Sequence, residues 1–107
     1  MDPAYAYTVS SERERIRTEL DRIATRVSGL NLTRLEPFAL TIHSCAQKIL
    51  DLTPGMHPEL PMIGLSGINA QLTVISRDYL ELTESANDYT KDSVVAELLT
   101  QLRRDLP

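Results

Sequence analysis

The apolar residues between Leu65 and Tyr89 recur at alternating intervals of three and four residues. This spacing is typical of a helix that packs along one side against other helices. The seam consists of Leu65, Ile68, Leu72, Ile75, Tyr79, Leu82, Ala86 and Tyr89. The chain is therefore predicted to fold around one long helix, with a break expected near Asn87 and Asp88, where helix propensity weakens.

Three further segments carry apolar residues at helical spacing. These residues are Ile16, Leu20, Ile23, Val27 and Leu30 in the first; Leu35, Phe38, Ile42, Cys45, Ile49 and Leu52 in the second; and Val95, Leu98, Leu99, Leu102 and Leu106 in the last. Ser11 and Glu14 have the spacing of a capping box, which predicts the start of the first helix, and Gly29 predicts its end in a left-handed conformation. Asn31 is expected to form a turn and a helix cap, and Pro37 suits the first position of the second helix. Helices are predicted over 11–29, 37–52, 66–86 and 92–106.

Residues 53–64 contain three prolines and two glycines, which exclude a continuous helix. We expect this connection to cross the end of the helices, with Leu60, Met62 and Ile63 packed as a plug. The predicted fold class is all-α: a small antiparallel four-helix bundle with a long Pro/Gly-containing loop between helices 2 and 3. Residues 1–9 are predicted to be an N-terminal tail, and 10–107 a single domain.

The charge distribution disfavours binding of nucleic acid through the overall field of the protein. The formal net charge is −4, and from Leu50 onward four basic residues stand against nine acidic ones. A protein that neutralises phosphates needs a basic face. The five arginines between 13 and 26 are interleaved with acidic residues at spacings that favour pairing within the helix, so a solvated, salt-bridged surface is expected. A small regulatory DNA-binding protein that uses these arginines is kept as an alternative.

Residues that could carry chemistry are few. Cys45 occupies a seam position between Ile42 and Ile49, which predicts a buried structural thiol. His43 and Cys45 are two residues apart in a helix and point to different sides, so they do not form a joint metal site. His57 has no partner nearby in the sequence. We predict no catalytic residue, no metal site and no cofactor, and keep as an alternative a ligand-binding, metal-binding or enzymatic protein with a site near His43 and His57.

Some apolar residues lie off the predicted seams. Part of this set is expected in the core, because a globular helix buries a stripe wider than the strict seam. The rest would continue an apolar face onto another chain, with acidic side chains selecting the partner by charge. The predicted interface residues are Leu40, His43, Leu50, Val74, Leu80, Glu81 and Glu84.

These patterns predict a non-enzymatic protein–protein interaction module. Such a protein would be a small helical subunit or adaptor that joins a homo-oligomer or a hetero-complex through its helical faces. Met1–Tyr5 lacks the basic and apolar pattern of a signal peptide, and no apolar run is long enough to cross a membrane, so neither secretion nor a membrane span is expected. A cytoplasmic location and a protein partner are expected, without a role for membranes.

Overall fold

The computed structural model describes residues 3–107, with side chains from Ser11 onward. In this range the chain forms α-helices and short 3₁₀ turns, and no strand. The helices are α1 (Pro3–Ser28), α2 (Leu32–Leu35), α3 (Ala39–Asp51), α4 (Ile68–Ala86) and α5 (Asp92–Asp105), and 3₁₀ turns precede α3 (Glu36–Phe38) and α4 (Leu65–Gly67). The predicted all-α class is confirmed, with α2 as a single additional turn. None of the helices described here has the length and apolarity needed to cross a membrane.

Helix α1 begins much earlier than the sequence analysis placed it. Its first residue is Pro3, so most of the predicted tail is helical, while residues 1–2 lie outside the described part of the chain. Proline is accepted at the first helical position, because its missing N–H would have no intrahelical partner there. No glycine or further proline follows before Gly29. Ser11 therefore lies inside the helix, and the capping-box prediction is wrong as a start signal.

The helix ends are set by local hydrogen bonds. Gly29 does not adopt the predicted left-handed conformation, and α1 ends through bonds from Gly29 N to Arg26 O (3.2 Å) and from Leu30 N to Val27 O (3.1 Å). The side chain of Asn31 caps α2 by accepting a bond from Arg34 N (2.9 Å), as expected. The predicted break after α4 is confirmed. Asn87 there has a φ of 54°, and Asp88 N donates to Thr83 O (2.9 Å).

The buried residues of α4 follow the repeat of an α-helix, and the predicted seam departs from this repeat along the helix. Its buried residues are Ile68, Leu72, Ser76, Tyr79, Leu80 and Thr83. A straight α-helix drifts by about 20° per heptad from a strict seven-residue repeat. Toward the end of α4 this drift turns Leu82 outward, to 40% exposure, and brings Leu80 into the core at 8%. The predicted seam is therefore correct at the start of α4 and wrong at its end.

The connection over 52–64 carries no helix and lies against α3 and α4 through backbone groups. The Gln47 side chain accepts a bond from Leu60 N (2.8 Å), and the Gln71 side chain donates to Pro61 O (2.9 Å). Leu60 is buried as expected, but Met62 and Ile63 are exposed. The predicted plug is thus reduced to one side chain.

Helices α1 and α5 run in the same direction. Arg13 pairs with Asp92, Arg15 with Glu97, and Glu19 with Arg103, and further along Arg26 lies at Leu106 and Pro107. Residue numbers rise together on both helices, so this pair contradicts the antiparallel arrangement predicted for the whole bundle. Apolar seams do not encode helix direction, whereas this series of polar pairs does.

A buried ionic cluster joins α1, α4 and the start of α5. The Arg13 guanidinium donates to both carboxylate oxygens of Asp92 (3.1 Å each) and to Thr83 Oγ1 (3.1 Å). The Tyr79 hydroxyl donates to Asp92 Oδ1 (2.6 Å). The four side chains are buried. Because Arg13 lies where α4 ends and α5 begins, the cluster fixes the α4–α5 connection against α1.

The environment of Tyr79 keeps its phenol protonated. Burial, together with the hydrogen bond to Asp92 and the charge of that carboxylate, raises the pKa of Tyr79. The phenol therefore remains a donor to Asp92 throughout the neutral pH range. Asp92 in this way receives hydrogen bonds from Arg13 and Tyr79 together, which is the condition for burying a carboxylate without a large net cost.

Ser76 places a polar hydroxyl group in the apolar core without a hydrogen bond. It is fully buried, and its hydroxyl has no hydrogen-bond partner. Ser76→Ala should raise the free energy of unfolding by about 1 kcal/mol, because an unpaired buried hydroxyl is removed and alanine favours helix. Urea unfolding measures the change. Ser85→Ala, at an exposed position of α4, is the control for helix propensity alone. An equal gain in both variants would mean that the Ser76 hydroxyl is satisfied.

Candidate protein interface on the outer surface of α5

The outer surface of α5 exposes apolar side chains between two neighbouring helices. α5 packs against both α1 and α3. Val94 is 45% exposed, and Leu98, one turn later on the same side, is half-buried. Their neighbours Val95 and Leu99 are fully buried. Adjacent apolar pairs thus make α5 apolar over a wider arc than α1 and α3 cover.

A groove of about 310 Å³ runs between α3 and α5. Leu40 stands on its wall with 72% of its side chain exposed, the largest exposure of any apolar side chain in α3. Cys45 and Leu102 are buried residues at its base. Lys48 and Asp105 supply one charge of each sign to its lining. The groove is therefore apolar at its base and nearly neutral at its rim.

A second, more open groove of about 590 Å³ runs between α1 and α5. Arg15 crosses it, pairing with Glu97 (3.0 Å) and donating to Thr100 Oγ1 (3.0 Å). Leu98 and Gln101 line both grooves and form the ridge that separates them. We call the two grooves with this ridge the α5 face. Its lining residues are Leu40, Thr41, Ser44, Cys45, Lys48, Leu98, Gln101, Leu102 and Asp105 on one side, and Glu12, Arg15, Ser93, Val94, Glu97, Leu98 and Gln101 on the other.

Cys45 does not give the α5 face nucleophilic chemistry. Burial raises the pKa of its thiol to about 12, against a smaller opposite effect of the Lys48 ammonium. The Sγ atom lies 3.8 Å from the carbonyl oxygen of Leu98, to which the thiol donates. The thiol is therefore protonated at neutral pH and poorly reactive. The predicted burial of Cys45 is confirmed.

The predicted interface residues do not form one surface. Leu40 lies on the α5 face, whereas Val74 (57% exposed), Glu81 and Glu84 are exposed on α4, and His43 is half-buried on α3. Leu50 and Leu80 are part of the core, so their prediction as interface residues is wrong. Both lie beside a seam position, where a globular helix still buries its side chains.

Two residues of the α5 face are missing from the predicted interface. The seam of the last helix places Leu98 in the core with Val95, Leu99, Leu102 and Leu106, and it does not include Val94. The sequence does hold a signal, because Val94–Val95 and Leu98–Leu99 are adjacent pairs one helical turn apart. One member of each pair faces the core, and the other is left toward solvent.

The histidines are not brought together with other ligands. His57 Nε2 lies 2.8 Å from Pro54 O, within its own turn. His43 Nδ1 is buried and has no hydrogen-bond partner. Neither histidine lines the α5 face. Within residues 3–107, no group of three or more His, Cys, Asp and Glu side chains is placed to hold a metal ion.

The arginines of α1 are largely neutralised by carboxylates. The three pairs expected within the helix are present, with Arg15 3.8 Å from Glu12, Arg17 3.7 Å from Glu14 and Arg22 3.3 Å from Glu19. Arg13 is buried against Asp92, which the sequence did not predict. This arrangement gives little support to a phosphate-binding stripe on α1.

The chain was compared with known proteins at three levels. No protein-family model, no curated protein and no solved structure matches it.

Proposed function

We propose that the protein is a non-enzymatic interaction module that binds other protein chains through its helical faces, chiefly the α5 face. The observation that supports this most strongly is the exposure of Leu40 and Val94, at 72% and 45%, on the walls of two grooves that share Leu98. Apolar side chains grouped around grooves mark interaction sites more often than isolated exposed residues do.

The linings of the two grooves suit a protein partner better than a small molecule. Both grooves are open along the helices, and their polar groups are spread along the rim. A small-molecule site is usually a deep pocket that encloses most of its ligand. An apolar centre with a polar rim is the usual anatomy of a protein–protein interface.

We also propose that the four long helices form a bundle in which α4 runs opposite to α1. Two contacts support this direction: Arg13, early in α1, meets Thr83 near the end of α4, and Ala24, late in α1, lines a groove with Thr73 near the start of α4. In this bundle the long connection between α3 and α4, residues 52–64, runs from one end of the bundle to the other. We further propose that the protein acts as a small adaptor or subunit in the cytoplasm.

Comparison of partner binding by surface variants tests the proposed function. The tagged chain is expressed in its own cells, and captured proteins, including untagged copies of the chain, are quantified. Leu40→Glu combined with Val94→Glu should reduce capture of the specific partners by about tenfold or more, because charges replace apolar groups at the contact. Both side chains are exposed, so the circular dichroism spectrum should not change.

Met56→Glu is the matched control, since Met56 is fully exposed and outside the α5 face. It should leave capture unchanged. A double variant that folds and still captures every specific partner at the wild-type level would contradict the proposed function of the α5 face.

A further inference from the structure

We propose that the partner on the α5 face is a second copy of this chain, bound as a twofold-symmetric dimer. This inference rests on the proposed function, and it names the occupant of the same surface. In such a dimer the same residues of both copies meet, so the face must be complementary to itself in shape and in charge.

The shape of the α5 face meets this requirement. It contains the ridge, formed by Leu98 and Gln101, and beside the ridge the groove between α3 and α5. Helices pack by placing the ridge of one into the groove of the other. A copy turned by 180° can place its own ridge in this groove while its groove receives the first ridge. Leu98 lies at the border between the ridge and this groove, and the twofold axis runs along that border, so the two Leu98 side chains come close to each other across the axis.

The charges on the face are complementary in the same arrangement. The groove wall formed by α3 carries Lys48, which is in none of the ion pairs found among the described residues. The ridge side carries Asp105 and Glu97 on α5, and Glu97 is also paired with Arg15 of its own chain. When each ridge lies in the opposite groove, Lys48 of each copy lies beside these two carboxylates of the other. The contact is repeated twice by symmetry.

The other exposed apolar surface is a poorer contact for a second copy. On α4, Val74 and Leu82 are exposed near three exposed carboxylates and one exposed arginine: Asp78, Glu81, Glu84 and Arg77. Two copies that met there would bring these carboxylates together. In a protein with a net charge of −4, the nearly neutral α5 face is the surface on which self-association meets the least repulsion.

The required contact area favours use of the whole face. A specific interface buries about 800 Å² on each partner, roughly one eighth of the 6407 Å² surface of this chain. One groove alone is too small for this, so the contact must extend across the ridge onto both sides. Both Leu40 and Val94 are then buried in the dimer.

Disulfide trapping at the predicted axis tests the proposal. Under mild oxidation, Leu98→Cys should form a disulfide-linked dimer at least about tenfold faster than Met56→Cys, because the symmetric contact gives the paired thiols a high effective concentration. Both variants are made with Cys45→Ala, because Cys45 Sγ lies 3.8 Å from the Leu98 carbonyl oxygen and would compete for the introduced thiol within one chain. Light scattering on the wild-type chain should give about twice the 12.0 kDa mass of one chain, and Leu40→Glu with Val94→Glu should give a single chain.

The outcomes separate this inference from the proposed function. A wild-type mass of 12.0 kDa at about 100 µM, where a complex of micromolar Kd would be formed, overturns the dimer. So does trapping of Leu98→Cys that is no faster than that of Met56→Cys. If partner capture from cells still depends on Leu40 and Val94, the α5 face binds a different protein and the proposed function stands. If capture does not depend on them, both fail.

Discussion

Asp92→Ala is expected to lower the free energy of unfolding by about 3–5 kcal/mol, because it removes the buried carboxylate that pairs with Arg13 and leaves only the exposed Glu84, 3.7 Å away. Arg13 also loses the partner that aligns it with Thr83, and the Tyr79 hydroxyl loses its acceptor. Domains of this size have a total stability of about 5–15 kcal/mol, so the variant should lose a large fraction of its stability. Urea unfolding followed by circular dichroism measures the loss.

A double substitution separates the charge from the packing at this site. Arg13→Met with Asp92→Leu removes both charges and keeps apolar volume, and it should cost much less than Asp92→Ala alone. Tyr79→Phe should cost only about 1 kcal/mol, the usual contribution of one hydrogen bond. If Asp92→Ala unfolds at nearly the wild-type urea concentration, then Arg13 and Asp92 are solvated and the described cluster is incorrect.

Leu80→Ala should lower the free energy of unfolding by about 2–5 kcal/mol, whereas Leu82→Ala should lower it by less than about 1 kcal/mol. Leu80 is 8% exposed and belongs to the core, while Leu82 is 40% exposed. The two substitutions remove the same atoms from neighbouring positions of one helix, so their difference reports burial. Thermal or urea unfolding of both variants gives the comparison.

The strict seam read from the sequence predicts the opposite order, with Leu82 in the core and Leu80 outside it. A larger loss of stability for Leu82→Ala than for Leu80→Ala would therefore support the predicted seam and contradict the structure of α4.

The burial of Leu80 also determines which variants can test association. A glutamate at Leu80 would unfold the protein, whereas Leu40→Glu and Val94→Glu change only exposed positions.

The existence of the helices was predictable because it depends on local apolar spacing. Ile16, Leu20 and Ile23 in α1, and Ile42, Cys45 and Ile49 in α3, follow the predicted seams and are buried. The α4 seam failed toward Leu82 because a repeat of 3.5 residues approximates a helix of 3.6 residues per turn only over a short length. The early start of α1 is not predictable in this way, because a proline near the terminus and a missing apolar period are typical of a tail.

The relative direction of α1 and α5 could not be predicted from apolar spacing. An apolar stripe presents the same surface to a parallel or an antiparallel neighbour. The decisive residues are Arg13 with Asp92 and Glu19 with Arg103, which are more than 70 positions apart in the chain. Such pairs are visible only after the fold places them together, so the sequence alone favours a solvated surface for these arginines.

The residues of the α5 face were only partly predictable, because their exposure also depends on how the helices pack together. An apolar residue off the strict seam is either core or exposed surface, and the choice depends on how closely neighbouring helices approach. Leu50 and Leu80 are covered by their neighbours, and Leu40 is not. Val94 has the same ambiguity on α5. Sequence spacing therefore narrows the interface to a set of candidates, and the packing of α1 and α3 around α5 selects among them.

The accessibility of methyl groups in the purified chain tests most directly whether the α5 face is covered by a second copy. Leucine and valine methyl groups are labelled, and a soluble paramagnetic agent broadens the signals of those that water reaches. In an isolated chain, Leu40 and Val94 would be broadened as strongly as Val74, since all three are exposed. The dimer predicts that Leu40 and Val94 are protected almost as well as the core residue Leu72, while Val74 is broadened. Broadening of all three to the same extent would contradict it.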